Sequence, residues 1–380
     1  MAAGSNNTTR FRSTEYQHEA GSVFERTRKE REQFAKQLSK AGLKYDAKRV
    51  NDCGKKKHVT SERNPKGHQF FSCGFRWCPT CWSVASSEAT FCIHKLMLTA
   101  LASGQRVFHL TLPLMHLKGD KLRSLRALLD ASFRRLRRRT LWKRLVTNYV
   151  RSVHIEFSGR TGWNPHFHVA IAVAANTAKA TEISVSELKR EFQAAWKACA
   201  SEEVAGLVGG GKRREHRLIE VVEIFTGTED KPHARIVAGY QARGASGKGK
   251  RNVAIGLPPA RLKELVAATS HWNWRAWSAD WEPAANLCTL AHAFEHTKYP
   301  PARLRARETL LAEAQRIAAA PGNARVPLRS VCSGLALHLW QTGDWEVMAA
   351  LDRAGYGALK LSGGNIVKPP PKHPLSGGER

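Results

Sequence analysis

Between Glu156 and Ile171 the chain reads EFSGRTGWNPHFHVAI, and that spacing gathers side chains able to hold a metal ion. In an extended strand successive residues point to opposite faces, so His166, His168 and Ala170 share one surface while Phe167, Val169 and Ile171 share the other. Just upstream, Val153, Ile155 and Phe157 alternate in the same way with His154 and Glu156. The linking segment Ser158–Pro165 holds two glycines, an asparagine and a proline, which is turn chemistry. Paired as a hairpin, the two strands bring Glu156, His166 and His168 to one face. Neutral imidazole and carboxylate suit Mn²⁺, Mg²⁺ or Zn²⁺, and three protein ligands leave coordination positions open for a substrate. The plainer alternative is a pair of half-exposed histidines on a sheet surface.

A second ligand group lies upstream. Cys53, Cys73, Cys78 and Cys81 fall close together, with Cys78-Pro-Thr-Cys81 forming a C-x-x-C knuckle. In a reducing compartment this spacing reads as metal binding rather than disulfide pairing. Two thiolates on a tight turn grip one Zn²⁺, and a tetrahedral structural site needs two more donors. Cys53 and Cys73 are the natural partners, with His58 and His68 as substitutes. Cys92, Cys199, Cys288 and Cys332 stand alone and read as core thiols.

Charge narrows the partner. The chain has 61 Lys and Arg against 32 Asp and Glu, a net +29, which attracts a polyanion and above all nucleic acid. The densest run is Arg134, Arg135, Arg137, Arg138 and Arg139; Lys248, Lys250 and Arg251 form another in a glycine-rich loop. A run of this kind is either a solvated helix face or a phosphate contact. No stretch of 18 apolar residues occurs, and Met1–Glu19 lacks the hydrophobic core of a signal peptide. The reading is therefore a cytoplasmic protein without a membrane partner, large enough for two or three domains.

These groups need elements to position them. Phe24–Leu43 reads as a basic helix, and apolar positions at Phe91, Leu96 and Met97 mark another ending near Gly104. Arg106–Leu112 is a strand bounded by Gly104 and Pro113. Lys118–Val146 carries Leu122, Leu125, Leu129, Phe133, Leu136 and Leu141 at helical steps, as does Val185–Cys199 with Leu188, Phe192 and Trp196. Leu218–Phe225 reads as a strand. Pro232–Arg243 reads as a helix on which Tyr240 and Arg243 share a side. The tryptophan-dense stretch His271–Trp281 suits a small core or base stacking.

In this order the features resemble the rolling-circle replication initiators of small bacterial plasmids, within the HUH endonuclease superfamily. The resemblance rests on Cys73-Gly-Phe-Arg-Trp-Cys-Pro-Thr-Cys81, Phe108-His-Leu-Thr-Leu-Pro113, the basic helix, the Glu156 strand, Asn164-Pro-His-Phe-His168 and Gly239-Tyr-Gln-Ala-Arg243. It covers about residues 50–245. It implies a nuclease that nicks one strand of origin DNA and keeps the 5′ end on Tyr240. Arg243 stands near the phosphate, where relatives commonly carry Lys. His166, His168 and Glu156 hold Mg²⁺ or Mn²⁺, and the cysteines hold structural Zn²⁺. Host helicase and DNA polymerase are the implied partners. Some relatives place a carboxylate four residues before the tyrosine; here that residue is Ile236, and Glu223, Glu229 or Asp230 are the substitutes in reach. A related single-strand transposase or relaxase, and a zinc-ribbon DNA-binding protein without catalysis, are the alternatives.

The expected fold is α/β of the α+β kind: a central antiparallel sheet with an RRM-like core and helices largely on one face, the tyrosine helix crossing the metal-bearing surface. The expected divisions are a basic arm (1–50), a zinc-binding module (51–85), the catalytic domain (86–254), a mainly helical tryptophan-rich region (255–362) and a flexible tail (363–380).

Overall fold

The computed structural model describes residues 25–58, 68–70, 72–102, 104–173, 183–207, 219–224, 233–242, 246–247, 251–270 and 272–278, with isolated positions between 281 and 312. Helices α1 (Arg28–Lys40) and α2 (Lys44–Asp52) come first, then a short ribbon of β1 (Lys56–His58) and β2 (His68–Phe70). Next are α3 (Pro79–Ala102), β3 (Arg106–Pro113), α4 (Leu122–Arg138), α5 (Thr140–Leu145), β4 (Val146–Ser158), β5 (Gly162–Val173) and α6 (Val185–Leu207). They are followed by β6 (Glu220–Ile224), α7 (His233–Ala242), the ribbon β7 (Ser246–Gly247) and β8 (Arg251–Asn252), α8 (Pro259–Thr269) and β9 (Arg275–Trp277).

The main sheet is fully antiparallel between neighbours, in the order β6-β3-β5-β4-β9. Within it β3-α4-β4-β5-α6-β6 is a β-α-β-β-α-β unit whose first strand lies between the third and fourth, the split arrangement expected of an RRM-like core. The fifth strand, β9, comes from beyond residue 254 and pairs on the outer edge of β4.

The hairpin at the centre is longer and tighter than its composition suggests. β4 and β5 pair from Val146↔Val173 to Ser158↔Gly162, so only residues 159–161 turn. Ser158 Oγ closes that turn by accepting from the backbone N–H groups of Arg160 (3.2 Å) and Thr161 (3.1 Å). Pro165 is tolerated inside β5 because the ladder with β3 ends at Pro113↔His166, which leaves no neighbour needing its missing N–H on that side. The basic helix also departs from expectation. It breaks at Arg139, whose extended backbone (φ −65°, ψ 146°) separates α4 from α5, and the chain enters β4 at Val146.

One face of the sheet is apolar. Phe108, Leu110, Leu112, Val153, Ile155, Phe167, Val169 and Ile171 are buried there against α4, α5 and α6. Phe133 is the hub, with ring centroids 5.3 Å from Phe167, 5.5 Å from Trp142 and 5.8 Å from Tyr149. Such edge-to-face contacts add about 0.5–1.5 kcal/mol each beyond area burial. One charge is carried inside: Arg151 lies over the Phe167 ring at 4.3 Å and pairs with Asp130 at 2.9 Å. The other face is not left bare, since α3 and α7 pack on each other and on the sheet there.

Candidate functional site

The covered face carries the chemistry. Register places His154 opposite His166 and Ser152 opposite His168 on β4 and β5, and Thr111 opposite His168 on β3. His154, His166 and His168 each present a ring nitrogen, all three within 4.8 Å of one another, and all three are buried. Each ring is fixed from behind. His154 Nε2 donates to the Gln241 carbonyl at 3.1 Å, and His166 Nδ1 donates to the Asn164 carbonyl at 3.2 Å. A carbonyl can only accept, so the basic nitrogens are Nδ1 of His154 and Nε2 of His166. His168 Nδ1 meets His109 Nε2 at 3.0 Å, and its Nε2 lies 3.1 Å from His166 Nε2. This pattern of ligands held by outer partners is that of metal-binding histidines.

Burial favours the uncharged form of His154, His168 and His109. Desolvation first, and then the neighbouring imidazoles, push His154 and His168 well below the usual histidine value, and His109 falls to about 4 for the same reasons. At neutral pH they are neutral, the state in which imidazole binds a metal.

Glu156 shares this face but lies outside the three-nitrogen group; its Oε2 accepts from Asn164 Nδ2 at 3.0 Å. His154, two residues earlier on the same face, gathers with His166 and His168. The signal was present, because His154 has the parity of Glu156 and lies directly across from His166. Three imidazoles suit Mn²⁺ or a later transition ion better than Mg²⁺, whose preference is for oxygen.

Tyr240 comes from above. Helix α7 lays its ring edge-on to His168 with centroids 4.8 Å apart, 5.5 Å from His154 and 6.4 Å from His109, and the residue stays 45% exposed. Gln241, fully buried, anchors the helix: its Nε2 donates to the Val150 carbonyl (2.9 Å) and the His168 carbonyl (3.3 Å). That residue escaped notice in the sequence because glutamine beside an exposed tyrosine has no periodic signature. Arg243, Lys248 and Lys250 lie outside the described residues, as does the Arg251 side chain. Ile236, one turn before Tyr240, is 59% exposed. Glu223 cannot stand in for the missing carboxylate: it pairs with Arg106 at 2.7 and 2.9 Å and lies opposite Phe108, on the sheet face turned away from the histidines. Glu229 and Asp230 lie outside the described residues.

The arginine run lies elsewhere. Arg134, Arg135, Arg137, Arg138 and Arg139 belong to the helix layer on the apolar side of the sheet, and Arg137 is engaged by the Tyr149 hydroxyl.

The four cysteines converge. Cys53, Cys73, Cys78 and Cys81 bring their sulfurs within 4.8 Å of one another, with Cys81 Sγ 3.7 Å from Cys53 and 3.6 Å from Cys73. Hydrogen bonds from Cys53, Cys73 and Cys78 pull Cys81 below the usual thiol value, while Cys78 is pushed up by the Cys53 contact and burial. The set fits a closed tetrahedral site without calling on His58 or His68. Helix α2 delivers Cys53 at its C-cap, and α3 carries Cys81 in its first turn.

An antiparallel sheet of split β-α-β-β-α-β order carries a histidine cluster on its central strands, with a cysteine module ahead of them. Residues 66–200 match the family model described as Replication protein. A curated relative, Protein rep of Staphylococcus aureus, is 28% identical over 129 residues, which is 33% of this chain and 56% of that protein. The chain thus spans little more than half the length of the relative. No solved structure matches. Among the described residues no helix is long and apolar enough to cross a membrane.

Proposed function

We propose that this protein initiates rolling-circle replication of a plasmid by nicking one strand at the origin, with Tyr240 as nucleophile and Mn²⁺ or Mg²⁺ as cofactor. The observation that carries this reading is the half-exposed Tyr240 ring edge-on to His168, over three buried imidazoles that each bring a ring nitrogen within 4.8 Å of the others. His154, His166 and His168 would hold a divalent ion, whose Lewis acidity would be supplied to a phosphate oxygen.

The protein's own part is positioning and proton control. Helix α7, pinned through Gln241, holds the phenol at the mouth of the cluster. The Tyr240 oxygen bonds to phosphorus as the bond to the 3′-oxygen breaks; the phenol loses one proton and the leaving 3′-oxygen gains one. The resulting 5′-phosphotyrosine conserves the bond for later rejoining, and the free 3′-OH primes synthesis. Arg243, three residues on, supports the reading by offering positive charge to the phosphate. The cysteine cluster supports a structural Zn²⁺, and the net charge of +29 supports a DNA partner.

The test mixes the protein, Mn²⁺ and single-stranded fragments of its replicon and looks for protein–DNA adducts that survive SDS. We expect an adduct on one fragment and none with Tyr240→Phe, which removes a single hydroxyl. An adduct that persists in that variant moves the nucleophile elsewhere; no adduct on any fragment, despite tight binding, leaves a zinc-ribbon DNA-binding protein.

A further inference from the structure

Arg76 belongs to the cysteine module in sequence but to the histidine face in space. It lies between Cys73 and Cys78 in a loop held rigid on both sides: the Cys78 N–H donates to the Phe75 carbonyl at 3.0 Å, and Asn252 Nδ2 donates to the Trp77 carbonyl at 2.7 Å. Its guanidinium stacks over Trp274 at 4.7 Å, yet Nε is sealed from solvent with nothing to donate to. Among the described residues Arg76 makes no hydrogen bond and no ion pair.

A second guanidinium faces it. Arg275 follows Trp274 in β9 and sits opposite Ser152, so its side chain emerges on the face that carries His154 and His168. One of its donors is used, Nη2 to the Ala85 carbonyl at 2.9 Å, and the Glu88 carboxylate lies in its field. No carboxylate among the described residues pairs with Arg76, and the Arg275 charge bears on it. Between Arg275 and His168 in the register lies Ser152, 2% exposed, whose buried Oγ also has no partner. Two like charges and an orphaned buried hydroxyl in one half-buried corner are costly unless an anion completes them.

We infer that Arg76, Arg275 and Ser152 form a phosphate subsite beside the histidine cluster, which takes a backbone phosphate of single-stranded DNA next to the one presented to Tyr240. The inference rests on the nicking reading only in supposing that the strand crosses the histidine face. The cysteine module thereby does more than hold the N-terminal helices, because it also fixes one arginine of the substrate site.

The test uses the full chain and its Arg76→Met, Arg76→Lys and Arg275→Met variants, with binding of fluorescein-labelled dT15 followed across a KCl series. Each methionine variant should bind about tenfold more weakly, and the slope of log affinity against log salt should fall in magnitude by about 0.7 per charge removed, with Arg76→Lys keeping the slope. Once the nick site is mapped, a single neutral methylphosphonate beside it should weaken wild-type binding and leave Arg76→Met unaffected. Wild-type affinity and slope in both methionine variants, with full zinc content, would overturn the subsite. If Arg76→Met loses its zinc, Arg275→Met and the methylphosphonate scan on the wild type decide alone. Lowered slopes without any adduct in the wild type would retain the subsite and remove the tyrosine chemistry; adducts with unchanged slopes would do the reverse.

Discussion

Each of the three imidazoles of the cluster is held by a different outer partner, so the partners are as informative as the ligands. His109 bears on His168 from behind, with ring planes stacked at a centroid separation of 4.9 Å. His109→Ala should keep the fold and weaken Mn²⁺ binding by about 10–100-fold, read by calorimetric titration; an unchanged affinity would reduce His109 to packing. Acid should act on the same groups. His154, His168 and His109 titrate lower in the folded protein than in the unfolded chain, where histidine sits near 6.5. The unfolded state therefore binds more protons once pH drops below that value, and stability falls with it. The metal-free protein should lose melting temperature from about pH 6.5 downward towards pH 4, and His109→Phe should flatten part of that loss. The parity of His154 was legible beside that of Glu156; what chose between them was register, and the Asn164 amide that engages the carboxylate.

At the scale of elements, the hairpin of β4 and β5 carries the three clustered histidines, and its turn is held by a close approach. Gly162 has φ +78°, and a Cβ there would lie 2.7 Å from the Lys118 carbonyl oxygen. Both the backbone region and the backbone atom forbid a side chain, so Gly162→Ala should cost about 1–3 kcal/mol in denaturant titration, with a reduced share of folded protein able to bind Mn²⁺. On the apolar side, Phe133→Ala removes the ring on which Trp142, Tyr149 and Phe167 converge, and a loss of about 3–5 kcal/mol is expected. Helical spacing identified α4 and α6 and tyrosine-bearing α7 within a few residues at most ends. It ran through Arg139 and α5 into the start of β4, because a break made by one extended residue leaves no gap in the apolar pattern.

Across the whole molecule the cysteine cluster ties the N-terminal helices to the sheet. Arg49 donates to the Cys73 carbonyl, Thr27 bonds Thr80 at the start of α3, and Trp77 Nε1 donates to Thr269 of α8 at 3.0 Å. Stripping the ion with a strong chelator, or Cys81→Ser, should therefore lower the melting temperature of the entire unit rather than release a detached arm; an unchanged transition would make the module independent. The indoles of Trp272 and Trp274 share this interior. Trp272 is buried in the main core, and Trp274 packs edge-on to Trp77 at 5.1 Å, so these residues serve the body of the protein instead of a separate small core.

The sequence by itself determined what local chemistry dictates: the period-two surface bearing His166 and His168, the amphipathic helices, the four-cysteine set and the charge that calls for a polyanion. These follow from spacing and side-chain type, which survive any arrangement of the chain. Only the tertiary structure decided that His154 gathers with His166 and His168, that Gln241 anchors the tyrosine helix, that Arg76 crosses from the cysteine loop to the histidine face, and that the arginine run of α4 lies behind the sheet. Each depends on register or on which layer an element joins, and contacts between residues nearly 200 positions apart, such as Arg76 over Trp274, leave no trace in local pattern.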